Sequence, residues 1–280
     1  MATASQALQK VEILLTKEVP PFPAIALKAL NLMAGTDTSL FQLCNLIRPD
    51  AAFSAEVLRI ANSPLVAFPK NITNMLQASM VLGFRRLRGV VITVGLRAYL
   101  EGPFTPLLHS CWRHSLACGM IAERIAAANS RDKDFAYTAG ILHDIGRIVM
   151  AKASPDFYDH AAVQGVDHPR EMLSAERARY GIDHCQAGAI LARSWQLPDA
   201  FMEIISHHHD GKPKTGDEAA PIGAISCLLA DTLDFGIVRC RKALSYTDIL
   251  NSVPNLRGVP ADSDELASGI AREIQLIESA

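Results

Sequence analysis

The sequence is poor in aromatic residues. Phe, Trp and Tyr make up 6% of the 280 residues, whereas hydrophobic residues make up 49%. The apolar set is therefore dominated by Ala, Leu and Ile, a composition that favours helices over sheets. A chain of this length can bury a sizeable core as one large domain or as two small ones.

The sequence also lacks the signals of secreted, membrane and strongly charged proteins. Its longest apolar run, Val90 to Leu96, is far shorter than the ~20 residues that span a bilayer. The first residues are polar and do not predict a signal peptide. A net charge of −2 gives no global reason to expect binding to nucleic acid or anionic membranes. These absences predict a cytoplasmic protein with no nucleic-acid or membrane partner.

The cysteine spacing does not predict disulfides or a CxxC metal site, and the sequence contains none of the common catalytic motifs. The six cysteines form no CxxC pair, and Cys111 and Cys118 lie seven residues apart on one predicted helix face. We interpret the cysteines as reduced core residues of a cytosolic protein. The sequence contains no Gly-rich phosphate loop, Ser/His/Asp triad or nucleophilic cysteine motif.

What the chain does contain is an ordered set of histidines and aspartates, mostly on apolar segments. Its centre is the His143-Asp144 pair in Ile141–Arg147. A His-Asp pair alone is weak evidence, because a second one occurs at His209-Asp210. Imidazoles and carboxylates are ligands of Zn, Fe, Mn and Ni, and burying them without partners would cost several kcal/mol per group. The pattern predicts one or two such ions, with these candidate ligands: His114, His143, Asp144, His184, His208, His209 and Asp231.

Each candidate ligand also has a simpler interpretation. His143 and Asp144 could share a buried hydrogen bond within an apolar helix, and His114 could be a core histidine with an ordinary partner. His184 follows Asp183 and could belong to a helix cap.

The C-terminal candidates can be weighed in the same way. The run 207–209 could be a solvated helix end, because Asp210-Gly211-Lys212-Pro213 ends the helix directly after it. Asp231 has the strongest claim among the acids, since an aspartate on an apolar helix needs a partner.

Helical periodicity extends over almost the whole chain and predicts an all-α fold. We predict helices over 6–18 and, as one continuous helix, over 133–152, with Gly83 as a helix breaker. Two prolines and a glycine in 101–106 cannot continue a helix. They predict a boundary between an N-terminal helical subdomain, 1–105, and a multi-helix bundle packed against it, 106–280.

Several motifs in order resemble the HDOD family, a bacterial signalling branch of the HD superfamily of helical metal-dependent phosphohydrolases. Residues 106–236 resemble the superfamily, and roughly 15–240 resemble the HDOD branch. The matching segments are Pro20-Pro21-Phe22-Pro23-Ala24, Leu58-Arg59-Ile60-Ala61-Asn62-Ser63-Pro64, Ala78 through Gly83-Phe84, Tyr180-Gly181-Ile182-Asp183-His184, Gly188-Ala189-Ile190-Leu191 and Trp195-Gln196-Leu197-Pro198.

The resemblance implies the metal-ligand set given above, with Asp144 as a ligand that can bridge two ions. In the enzymes of the superfamily, such a cluster activates a bound water to attack phosphorus. If this chain were an enzyme, Asp144 and Arg147 would be its catalytic residues. Relatives that cleave cyclic di-GMP have a Gly-Tyr-Pro segment where this chain has 210–214, Asp-Gly-Lys-Pro-Lys, and a lysine where it has Arg147. A guanidinium is not equivalent to an ammonium group.

Two hypotheses of different classes follow. The first is a non-catalytic HDOD signalling module that binds signalling proteins or a nucleotide ligand and uses any bound metal for structure or sensing. The second is a metal-dependent phosphohydrolase or phosphodiesterase acting on a nucleotide or cyclic dinucleotide. The two departures from the enzyme pattern and the HDOD-like first half favour the first.

Overall fold

The protein is described by a computed structural model that covers residues 23–34, 39–64, 66, 71–100, 105–153, 158, 166–167, 169–209, 219–238, 240–242, 244–253 and 256–279. These residues form thirteen helices and no strand, and a single parallel bridge joins Val166 to Cys240. The predicted all-α fold is therefore confirmed. The predicted helix over 6–18 and most of the boundary segment 101–106 lie outside the described residues.

The helices follow one another in the order α1 (Ala24–Ala34), α2 (Leu40–Ile47), α3 (Ala51–Ala61), α4 (Met75–Tyr99), α5 (Pro106–Ala128), α6 (Lys133–Leu142), α7 (Ile145–Ala153), α8 (Pro169–Tyr180), α9 (His184–Ser194), α10 (Asp199–His207), α11 (Ala219–Thr232), α12 (Tyr246–Ser252) and α13 (Ser263–Ser279).

The first four helices form a unit in which α1, α2 and α3 pack on α4. Local sequence sets their ends: Ser39 forms a capping box with Gln42, and Asp50 accepts a hydrogen bond from the Phe53 amide at 2.9 Å. Gly83 has a φ of +69° and interrupts α4 with a kink, as predicted. α4 then packs against α6, which connects the unit to the remainder of the fold.

The long helix α5 is the centre of the second half. Thr105 caps it and Pro106 occupies its first turn, a position where the missing amide costs nothing. Helices α6, α7, α11 and α13 pack around α5. One hydrophobic core extends from Ala26 in α1 to Ile277 in α13. The division of the chain near residue 105 stays a prediction.

The prediction of one continuous helix over 133–152 was wrong at its middle. The structure has two helices there, and His143 and Asp144 form the turn between α6 and α7. The His143 Nδ1–H donates to the Gly140 carbonyl at 2.7 Å and satisfies a group at the end of α6. The Asp144 carbonyl accepts from the Arg147 amide at 3.1 Å as α7 begins. The side chains of His143 and Asp144 therefore extend from the turn between α6 and α7 and not from the middle of one helix.

Hydropathy along the helices agrees with the absence of long apolar runs in the sequence. Among the residues that the structure describes, none of the helices combines the length and the apolar character needed to cross a bilayer.

Candidate metal centre

The side chains predicted to bind metal come from separate parts of the chain and meet in the interior of the second half. They are His114 on α5, His143 and Asp144 in the α6–α7 turn, His184 at the start of α9, His208 and His209 directly after α10, and Asp231 near the end of α11.

Glycines allow the helices that carry these residues to approach closely. A side chain at Gly146 in α7 would collide with the backbone of His184 and of Gly188 in α9. A Cβ at Gly140 in α6 would lie 2.7 Å from the Cys118 carbonyl oxygen of α5. Two backbone-to-backbone contacts therefore fix the α6–α7 turn against α5 on one side and α9 on the other.

The five imidazole rings form a connected group. Ring centroids lie 5.3 Å apart for His114 and His143 and 4.8 Å apart for His143 and His208. The His208 ring lies 5.4 Å from that of His184 and 4.2 Å from that of His209. His209 is half-buried and the other four are buried. Because water cannot solvate the buried rings, their nitrogens need partners from the protein or a metal.

Two of the rings present a nitrogen lone pair to the interior. His143 Nδ1 donates to the Gly140 carbonyl at 2.7 Å, and His208 Nδ1 donates to the Ile205 carbonyl at 3.0 Å. A carbonyl can only accept, so the proton sits on Nδ1 and the lone pair on Nε2. Both Nε2 atoms are buried and have no hydrogen-bond partner among the described residues. This tautomer and orientation are those of metal-binding histidines.

His184 is held by a carboxylate behind it. Its Nδ1 lies 2.7 Å from Glu176 Oε2, and its backbone amide donates to the same oxygen at 2.9 Å. Tyr158 donates to the other oxygen, Oε1, at 2.8 Å. Burial alone would raise the pKa of Glu176, but the charge and hydrogen bond of His184 outweigh it and lower that pKa to about 2. The ring of His184 is thereby fixed with Nε2 toward the cluster.

Arg147 extends into the cluster from the first turn of α7. Its Nε lies 2.7 Å from Asp144 Oδ2, and its Nη2 lies 3.0 Å from His184 Nε2 and 3.4 Å from His209 Nε2. Burial lowers the pKa of His209 to about 3, so that ring is neutral and accepts from the guanidinium. Burial acts to raise the pKa of Asp144, but Arg147 and the histidines hold it below its ordinary value. An internal cation thus contacts three of the predicted ligands.

Asp231 lies on the outer side of the His114 ring. His114 Nδ1 donates to the Phe235 carbonyl at 3.0 Å, and Asp231 Oδ1 lies 3.7 Å from the same nitrogen. The Asp231 side chain is 22% exposed. Burial, followed by the charge of Cys227, raises the pKa of Asp231 to about 7. The carboxylate therefore borders the Nδ1 edge of His114, whereas the other ring nitrogen faces the cluster.

Thiols also belong to the cluster, which the sequence interpretation missed. Cys118 Sγ lies 3.5 Å and Cys227 Sγ 3.7 Å from His114 Nε2, and Cys185 Sγ lies 3.9 Å from His208 Nδ1. A signal for Cys118 was present in its spacing, because it follows His114 by four residues and shares its helix face.

Glu176 was also missed. It is fully buried on α8, an otherwise polar helix, three and four residues after the buried Leu173 and Met172. That spacing places a glutamate on the inward face of the helix, which is a signal for a buried partner.

The buried set of imidazole and thiol groups can bind a metal ion. Two groups have ligand atoms within 4.8 Å of one another, and these are His114, Cys118, His143 and Cys227, and His184, Cys185 and His208. The unpartnered Nε2 atoms of His143 and His208 and the soft sulfur atoms fit a transition metal such as Zn.

Solved structures with the same fold extend over almost the entire chain. An HDOD domain protein of unknown function from Geobacter sulfurreducens superposes with a TM-score of 0.71 at 23% identity and covers 98% of this chain and 97% of its own. A protein from Shewanella amazonensis named as a candidate phosphohydrolase gives 0.68 at 23% identity, with 99% and 96% covered. A candidate signal transduction protein from Marinobacter aquaeolei gives 0.68 at 18% identity, with 99% and 64% covered. These likenesses establish the fold.

Curated relatives match over parts of their own length. An uncharacterized protein of Treponema pallidum is 24% identical over 209 residues, which are 73% of this chain and 40% of that protein. Ribonuclease Y of Chloroflexus aurantiacus is 34% identical over 112 residues, which are 40% of this chain and 17% of the enzyme. The matched part is thus less than half of either protein. The HDOD domain family matches residues 19–211, well over half of the sequence, and the chain accordingly belongs to the HDOD family.

Proposed function

We propose that this protein is a bacterial, cytoplasmic HDOD signalling module whose output is a regulated interaction with a protein or small ligand, without turnover of a phosphodiester. The proposal is carried by the position of Arg147. Its guanidinium contacts Asp144, His184 and His209, which the family resemblance assigns to the metal cluster.

A guanidinium in this position disfavours a two-metal centre. The ions of two-metal hydrolases lie ~3.5–4 Å apart and share a bridging carboxylate. Here the carboxylate that would bridge them, Asp144, is already paired with a cation 2.7 Å away. A divalent ion in the same place would meet the fixed positive charge of Arg147 and would find the Nε2 atoms of His184 and His209 already in contact with its guanidinium.

The space beside the cluster also supports an output without turnover. The described residues line a small, partly open cavity of about 20 Å³ next to Arg147, His114 and Asp231. That volume accommodates about one water molecule. A nucleotide would need several hundred Å³. This geometry suits a buried structural or sensory element.

A metal bound in the cluster would serve structure or sensing under this proposal. The unpartnered Nε2 atom of His143 is one atom that would hold it, and the metal would supply a cross-link between the α6–α7 turn and helices α5 and α11, which carry His114 and Cys227. Loss or gain of the ion would change how firmly these elements are joined.

The first four helices supply a surface for a signalling partner. Leu76 and Met80 lie one turn apart on α4 and are 49% and 73% exposed, and Phe41 on α2 is 63% exposed. Large apolar side chains exposed on neighbouring elements are typical of protein interaction sites. The helices that carry them belong to the half of the chain that a minimal phosphohydrolase does not need.

The second candidate function is a metal-dependent phosphohydrolase or phosphodiesterase. It is favoured by the convergence of the complete ligand set of the superfamily around Asp144 and by the partial match to ribonuclease Y. In that case Asp144 would hold the metals and Arg147 would bind a phosphoryl oxygen.

Turnover assays separate the two functions. The full chain, loaded with Mn or Fe, is incubated with cyclic dinucleotides, nucleoside phosphates and bis-p-nitrophenyl phosphate, beside an Asp144→Ala control. We expect the wild type and the variant to stay at the uncatalysed background. Wild-type turnover approaching about 1 per second, lost in Asp144→Ala, would establish the enzyme and overturn the proposal.

A further inference from the structure

The observation behind this inference is a four-residue group that includes two thiols outside the predicted ligand set. Its members are His114 and Cys118 on α5, His143 in the α6–α7 turn and Cys227 on α11. We infer that these four side chains form a closed, tetrahedral metal site of the Cys₂His₂ type, suited to Zn²⁺, that holds the three elements together.

The separations of the ligand atoms fit one small tetrahedral ion. His114 Nε2 lies 3.5 Å from Cys118 Sγ and 3.7 Å from Cys227 Sγ. Each of the four residues offers an atom within 4.8 Å of the others. With Zn–S near 2.3 Å and Zn–N near 2.0–2.1 Å, a tetrahedron places neighbouring N and S atoms about 3.6 Å apart. Only small side-chain shifts would bring all four atoms into a first coordination sphere.

The two imidazoles are held in the tautomer that metal binding needs. His114 Nδ1 donates to the Phe235 carbonyl, and His143 Nδ1 donates to the Gly140 carbonyl. Each ring therefore presents an Nε2 lone pair to the thiols. His143 is 1% exposed and its Nε2 has no hydrogen-bond partner among the described residues. An unpartnered nitrogen this deeply buried points to a ligand.

The chemistry of the donors selects the ion. Two thiols and two imidazoles form a soft set, which favours Zn²⁺ over Mn²⁺ or Mg²⁺. Binding releases the two thiol protons, and the resulting thiolates balance the charge of the ion in a fully buried place. Cys118 is 0% and Cys227 3% exposed, so an unbalanced charge there would be unfavourable.

Four protein ligands leave no coordination position for water, which is the arrangement of structural zinc sites. The site shares His114 and His143 with the predicted superfamily set but needs neither Asp144 nor the histidines after α10. Arg147 contacts Asp144, His184 and His209 and leaves the four ligands available. The inference therefore rests on the proposed function, because a hydrolytic metal centre would need His114 and His143 as its own ligands.

Metal analysis and cobalt spectroscopy test the site. The untagged full chain is produced with added zinc, its metals are measured by mass spectrometry, and Co²⁺ is exchanged into it. We expect about one zinc per chain and, with cobalt, a thiolate-to-cobalt charge-transfer band in the near ultraviolet with the visible bands of tetrahedral Co²⁺. Cys118→Ser and Cys227→Ser should both lose the charge-transfer intensity and most of the zinc.

Two variants serve as controls. Cys44→Ser changes an equally buried thiol on α2 and should retain the zinc and the band. Asp144→Asn alters the predicted superfamily set and should also retain both in the fraction of the variant that circular dichroism shows to be folded. Metal that is lost in Asp144→Asn but gives no thiolate band would overturn the inference, because the ion would then lie in the carboxylate-containing set. Zinc-supplemented protein that contains no zinc, with Cys118 and Cys227 joined in a disulfide, would overturn it as well.

A measurement on the wild type covers the case in which the serine variants do not fold. Titration with an organomercurial should release one zinc as the buried thiols react, in parallel with loss of the cobalt band in the substituted protein. Zinc that stays bound after all six cysteines have reacted would contradict the thiolate site.

Discussion

Arg147 and Asp144 form a buried ion pair three residues apart, with Arg147 Nε 2.7 Å from Asp144 Oδ2. Asp144 is 1% and Arg147 7% exposed. The pair lies where the resemblance to the phosphohydrolases places a bridging metal ligand. In this chain, an internal cation therefore neutralises that carboxylate.

Removing the guanidinium should destabilise the protein strongly. Arg147→Ala leaves the Asp144 carboxylate buried without its cation, and breaking a buried pair from one side costs about 3–5 kcal/mol. Urea unfolding followed by circular dichroism measures the free energy of unfolding. Arg147→Lys keeps the positive charge, and its free energy of unfolding should fall by less than that of Arg147→Ala. A decrease of less than ~1 kcal/mol in the free energy of unfolding of Arg147→Ala would show that the ion pair does not stabilise the site.

Glycine positions at the helix crossing give a second test. Gly146→Ala should destabilise by roughly 1–3 kcal/mol or more, because the new methyl group collides with the backbone of His184 and Gly188. Gly269→Ala in α13 is the matched control, since its nearest neighbours are the Arg124 guanidinium nitrogens at 3.6 and 3.7 Å. That control should be neutral or stabilising by up to ~1 kcal/mol. Thermal melts compare the two, and equal melting temperatures would contradict the close crossing.

The Glu176 carboxylate predicts a particular pH dependence. Its pKa is lowered from 4.5 to about 2 in the folded protein, so the unfolded chain binds more protons between these values. The contribution of Glu176 to stability is thus complete above pH 4.5 and is lost as the pH falls toward 2. Glu176→Gln should be less stable than the wild type at pH 6, and the difference should shrink as the pH drops through this range. A difference in unfolding free energy that stays constant from pH 6 to 2.5 would show that the carboxylate is not the cause.

Zinc should stabilise the folded protein through His143. Added Zn²⁺ should raise the melting temperature of the chelator-treated wild type, because binding to the folded state adds RT ln(1 + [L]/Kd) to its stability. His143→Ala should abolish that rise, since it removes a buried Nε2 that has no hydrogen-bond partner among the described residues. His109→Ala changes a histidine of α5 whose side chain is 46% exposed and contacts Glu278 outside the cluster, and this variant should keep the rise. An equal zinc response in both variants would place the ion elsewhere.

The sequence predicted much of this arrangement because its signals are local. Periodicity and caps such as Ser39 and Asp50 determine individual helices, and the polar residues on apolar helices indicated which side chains meet in the interior as candidate metal ligands. The sequence did not predict the helix end at His143. The backbone of His143 keeps helical angles, with a φ of −54° and a ψ of −36°, so no glycine or proline is needed at the turn. The apolar pattern therefore continues through the turn without a break.

Contacts between helices could not be read from the sequence. Cys227 joins His114 across α11 and α5, and Glu176 reaches His184 from α8, and both depend on which helix faces which. The same holds for Arg147, which the resemblance would make a catalytic residue if the chain were an enzyme. The structure instead directs its guanidinium to His184 and His209. Whether the Arg147 guanidinium contacts side chains of the protein or a bound phosphate depends on how the helices pack.

Anomalous diffraction from crystals of zinc- and manganese-supplemented protein distinguishes a closed zinc site from a two-metal hydrolytic centre. We expect one zinc peak between His114, Cys118, His143 and Cys227, no manganese peak at Asp144, and the Arg147 guanidinium in place beside Asp144. Two metal peaks ~3.5–4 Å apart that share Asp144, with Arg147 displaced from the cluster, would contradict it and identify a two-metal hydrolase.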